Sequence, residues 1–102
     1  MLHVIAIITT HPGKREEVLQ LVRANLPAVR AEDGCIAYEP TVDAADIGSM
    51  QSELGPDTFV VVERWASTQA LKAHAQAPHM ADYAAKTRGM IASRVIHVLS
   101  AV

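Results

Sequence analysis

Apolar and polar positions along this 102-residue chain follow two rhythms, one of period two and one near 3.6. Residues 3–9, H-V-I-A-I-I-T, read as a strand with Val4, Ala6 and Ile8 on one face and His3, Ile5 and Ile7 on the other. Pro12-Gly13 ends it. Val18, Leu21, Val22, Leu26 and Val29 then recur at helical spacing from about Lys14 to Glu32, with Lys14, Arg15, Glu16, Arg23 and Arg30 off the stripe. Glu16 and Glu17 suit the positive end of the helix dipole, Pro27 should kink the helix, and Gly34 is a natural stop. A second strand begins near Cys35 and continues through Tyr38 towards Val42. Residues 43–57 have little period and carry Gly48, Gly55 and Pro56. So long a connection in so small a chain is often functional or an interface. A third strand covers Thr58 to Arg64, and Ser67 caps a second helix. Pro78 interrupts that helix, which continues briefly through Met80, Tyr83 and Arg88 to Gly89. The last strand runs from about Ala92 to Leu99.

The order β-α-β-β-α-β predicts one α+β domain over residues 1–102, a ferredoxin-like fold with a four-stranded antiparallel sheet and both helices on one face. The strands are apolar on both faces, whereas a sheet with one face in water normally alternates apolar and polar. The helix-free face therefore calls for a partner, most simply a second copy in a two-fold homodimer.

Composition narrows the function. The net charge is -2 and no basic run occurs, so neither nucleic acid nor a membrane surface is an expected partner. No apolar run approaches the roughly 20 residues of a membrane span. The N-terminus reads as a strand and not as a signal peptide. The single cysteine, Cys35, allows no internal disulfide and suits a reducing cytoplasm; it reads as a small hydrophobe at the start of a strand.

The segment F-V-V-V-E-R-W-A-S-T-Q-A-L-K-A-H-A-Q-A-P-H, residues 59–79, holds the candidate chemistry. Alternation puts Val61, Glu63 and Trp65 on one face, and a buried carboxylate is costly unless something donates to it. His74 shares the inward side of its helix with Leu71 and Ala75, so Glu63 is placed to orient it as a proton acceptor. Trp65 and Tyr38 would wall a planar ligand. His79, Tyr83 and Arg88 are further binding candidates. His74 and His79 are five apart across a proline, no cysteine cluster exists, and no metal site is expected. No glycine-rich strand-to-helix turn is present to hold a flavin or nicotinamide phosphate, so no cofactor is expected.

P-G-K at the first helix, G-C-x-x-Y-E into the second strand and E-x-W-x-S…H-x-x-x-x-H after the third resemble the antibiotic biosynthesis monooxygenase (ABM) family. The likeness spans nearly the whole chain, including M-L-x-V-I-A, V-D-A-A and A-H-x-Q-x-P-H-M, and within the family is greatest to bacterial quinol monooxygenases. It implies a dimeric α+β barrel and a cofactor-independent monooxygenase acting on small electron-rich aromatics such as hydroquinones with molecular oxygen. His74, Glu63 and Trp65 would be its catalytic residues. Some relatives carry an asparagine four residues before the tryptophan, where this chain has Val61. The haem-degrading branch differs at three places: this chain has no asparagine in its first strand, His74 in place of a tryptophan and Ala84 in place of a histidine. Two alternatives share the fold: a dimer that binds a quinone or metabolite without turnover, and an isomerase of a small phosphorylated diketone in quorum-signal breakdown. The latter would want Arg88 or Arg94 for its phosphate.

Overall fold

A computed structural model describes Met1–Val102. The elements are β1 (Leu2–Thr10), α1 (Arg15–Arg30), β2 (Cys35–Thr41), β3 (Thr58–Trp65), α2 (Thr68–Ala75), α3 (Pro78–Lys86) and β4 (Ile91–Leu99). The strands form one antiparallel sheet in the order β2-β3-β1-β4. This is the predicted ferredoxin-like plan with one change: the second helical region is two helices, giving β-α-β-β-α-α-β. Pro78 is the cause, because it takes the first turn of α3, where its missing N–H costs nothing. α1 runs through Pro27 as a single helix.

Strand alternation sets the two faces. Val4, Ala6 and Ile8 of β1 and Phe59, Val61, Glu63 and Trp65 of β3 are buried beneath the helices. α1 contributes Val18, Leu19, Val22 and Val29 to this core; Leu19 takes the place expected of Leu21, which lines a surface groove instead. Glu16 and Glu17 stand in the first turn of α1 as the dipole favours. The Ser67 hydroxyl accepts the Ala70 N–H at 3.1 Å and so starts α2, a cap whose loss costs about 1 kcal/mol.

Two tight features position the site. Gly34 has φ +80, and a Cβ there would lie 2.5 Å from the Ala70 Cβ. The bare backbone lets α2 close onto the turn between α1 and β2, and the Gly34 carbonyl accepts the Ala66 N–H at 2.8 Å. The long connection is pinned at its far end, where the Asp43 carboxylate accepts the N–H groups of Leu54 and Gly55 at 2.9 Å. Those bonds hold its carboxyl below the usual range. Ile47, Met50 and Leu54 stay exposed.

Candidate functional site

Between the sheet and the helices lies a cavity of ≈ 300 Å³, floored by Val4, Ala6, Ile8, Phe59 and Val61 and roofed by Leu71, Met80 and Ala84. Its polar groups are few: Tyr38, Glu63, His74, Tyr83 and Arg94. An apolar space with a few convergent polar groups is the form of a small-ligand site. A cavity of about 150 Å³ already holds benzene, so the volume suits one ring or two.

β3 carries Glu63 and Trp65 two residues apart, hence on one face. The Trp65 indole N–H donates to Glu63 Oε1 at 2.9 Å. Glu63 is 5% exposed, and burial pushes its carboxyl up. The indole donor and the charge of His74 oppose that rise, and Glu32 adds to it.

The expected pairing of Glu63 with His74 is not what forms. His74 Nδ1 lies 2.8 Å from Glu32 Oε2, and the same oxygen lies 2.9 Å from His79 Nε2. Glu32, in the turn after α1, therefore orients His74, while Glu63 is engaged by Trp65. The physical reason is the closure at Gly34, which brings the end of α1 beneath α2 and α3. The sequence held a clue, since a carboxylate at a helix C-terminus opposes the dipole and needs some other partner.

Trp65 is also not a wall of the cavity. It is fully buried, packed with Val4 and Val29, and the His74 ring lies over it at 4.7 Å. The strand ends beneath α2, so the indole supports the imidazole from behind. Tyr38 stands edge-on to His74 at 5.4 Å and, like Tyr83, lines the cavity. Burial raises both phenols, strongly for Tyr38; negative Glu63 adds to the rise at Tyr38, and Arg94 offsets it at Tyr83. Both therefore remain donors at neutral pH. Arg88 is exposed after α3 and does not line the cavity, because the turn carries it past the opening; Arg94 of β4 lines it instead. Cys35 is half-buried beside the Trp65 cluster, and burial raises its thiol.

His74 makes no protein hydrogen bond through Nε2, yet no buried side-chain nitrogen or oxygen lacks a partner. Nε2 is thus accessible, in a residue that lines the cavity. Spacing kept His74 and His79 apart as ligands, but their nitrogens and the Glu32 carboxylate lie within 4.8 Å of one another. The separations of 2.8 and 2.9 Å to Glu32 are those of hydrogen bonds.

The family model described as "Antibiotic biosynthesis monooxygenase" matches residues 1–86. The chain belongs to the antibiotic biosynthesis monooxygenase family. Probable quinol monooxygenase YgiN of Escherichia coli K12 is 42% identical over 101 residues, covering 97% of this chain and 96% of that protein. The crystal structure of PA3566 from Pseudomonas aeruginosa superposes with a TM-score of 0.81 at 27% identity, over 99% of this chain and 93% of that one. Rv0793 from Mycobacterium tuberculosis gives 0.80 at 27% identity, over 99% and 94%. Family membership makes this a monooxygenase-family chain.

Proposed function

We propose that this protein is a cofactor-independent monooxygenase of small hydroquinones. The observation that carries the reading is His74: its ring is fixed by Glu32 and Trp65, and Nε2 is left free on an apolar cavity of ring size. His74 Nε2 takes the phenolic proton, imidazole being the side chain that exchanges protons near neutral pH. The resulting anion is electron-rich enough to reduce molecular oxygen itself. Hydroquinone and one O2 then give a hydroxyquinone and one water, which balances atoms and electrons without a further reductant. The Tyr38 and Tyr83 phenols hydrogen-bond the substrate oxygens, and Glu63 is a second proton acceptor inside the cavity. The relation to a protein described as a probable quinol monooxygenase supports the substrate class.

The test is oxygen uptake on adding hydroquinone, measured above autoxidation. His74→Ala should cost roughly 10²–10⁴ in rate when assayed at a temperature where both proteins are fully folded. Tight quinone binding without oxygen uptake would make the protein a binding dimer instead.

The reading includes a homodimer. Val62, Val95 and Leu99 lie 41%, 47% and 48% exposed on the helix-free face. The single chain exposes 6446 Å², about 800 Å² above the roughly 5,600 Å² usual for its mass. One partner in a stable interface contributes about that area.

A further inference from the structure

A carboxylate can fix an imidazole only if something else fixes the carboxylate. Glu32 lies in the turn between α1 and β2, on a flexible side chain that loses entropy when it is ordered. Its carboxylate accepts two hydrogen bonds, both at Oε2: one from His74 Nδ1 at 2.8 Å and one from His79 Nε2 at 2.9 Å. His74 is the group being positioned, which leaves His79 as the anchor. We propose that His79 is a positioning residue for the reaction, its Nε2–H holding Glu32 in the place from which Glu32 sets the ring and the tautomer of His74. The inference rests on the hydroquinone reading above.

A carboxylate oxygen only accepts, so His74 Nδ1 and His79 Nε2 both carry hydrogen. With its proton on Nδ1, neutral His74 presents a bare Nε2 to the cavity, which is the form a base requires. The proton taken from the phenol leaves again from Nε2, to the reduced oxygen, and Nδ1–H stays on Glu32 throughout. The tautomer is the same at the start and the end of each turnover. His79 takes no part in that exchange. It is absent from the cavity wall and lines a surface groove with Asn25, Asp82 and Lys86. Pro78 fixes the first turn of α3 and so holds the backbone next to His79. The His79 side chain is 27% exposed and that of Glu32 13%, so the bond between them is largely shielded from competing water. Glu63 does not serve in place of Glu32, since it makes no hydrogen bond to His74 and is engaged by the Trp65 indole.

The experiment follows oxygen uptake by the full chain with unsubstituted hydroquinone, at a temperature where every protein compared is fully folded. His79→Ala should lower kcat roughly ten- to hundredfold, since misplacing a catalytic group by about 1 Å costs up to about a hundredfold. KM should stay unchanged, because His79 does not line the cavity. His79→Gln, which keeps an N–H donor, should recover most of the rate. His79→Met fills the space without a donor and replaces the alanine variant should that chain not fold. ¹⁵N NMR supplies a readout that a purely structural role would not move: neutral His74 should carry its proton on Nδ1 alone in the wild type and in His79→Gln, and on both nitrogens in His79→Ala. An unchanged kcat, an unchanged His74 tautomer in His79→Ala, or a glutamine variant as slow as the alanine one overturns the proposal. Stoichiometric zinc in the wild type that disappears in His79→Ala would mark a metal centre and overturn it too. If the wild type consumes no oxygen, the hydroquinone reading fails by itself, and the tautomer of His74 still decides whether His79 positions it.

Discussion

Glu63 is held in a place that a carboxylate would not choose on solvation grounds. It is buried, and its one hydrogen-bond donor in the protein is the neutral indole of Trp65. Burial raises its folded value above the ordinary 4.5. Below 4.5 the folded and unfolded chains are both protonated here and the site costs nothing. As pH rises from 4.5 through the folded value, the unfolded chain ionises first, so stability is lost across that window. Glu63→Gln keeps an oxygen for the indole and removes the ionisation. Its melting temperature relative to wild type should rise between acid and neutral pH and then level off. A constant difference across that range would mean that Glu63 pays no ionisation penalty in the fold.

At the scale of elements, the site depends on how close α2 comes to the turn before β2. Gly34→Ala forces a positive φ on a residue with a side chain, at about 1–2 kcal/mol, and overpacks against Ala70, at about 1–3 kcal/mol. The expected total loss of about 2–5 kcal/mol is readable by urea unfolding. Because the clash pushes α2 outward, the His74–Glu32 bond should lengthen too, and activity should fall further than melting alone explains. A variant as stable as wild type would show that the turn relaxes freely.

At the scale of the molecule, the sheet is only half covered. The helices pack on β1, β2 and β3, whereas β4 is exposed almost throughout, with Ile96 and Val98 at 54% and 50% on the helix side. Sedimentation of the 11.0 kDa chain should give twice that mass. Val62→Lys with Val95→Lys puts two charges on the helix-free face and should yield a monomer, since an unpaired charge in an interface is strongly disfavoured. A doubly substituted chain that remains dimeric would move the interface to another surface.

Periodicity alone determined the order of strands and the two faces of β1 and β3, because strand alternation is a local, geometric property. It also grouped Glu63 with Val61 and Trp65 on one strand face and put His74 on the inward side of its helix. Family motifs carried the oxygenase reading. Tertiary structure decided the partners. Glu32 reaches His74 and His79 across 42 and 47 residues of chain, a pairing that no local period encodes. The closure at Gly34 brings them together, and the same packing buries Trp65 behind His74 instead of opening it to the cavity. Arg88 and Arg94 look alike in sequence, and only the turn after α3 and the pairing of β4 with β1 decide that Arg94 meets the cavity. Hydrogen-bond partners are chosen by proximity within about 3 Å, and in a folded chain that proximity is set by packing across long sequence distances.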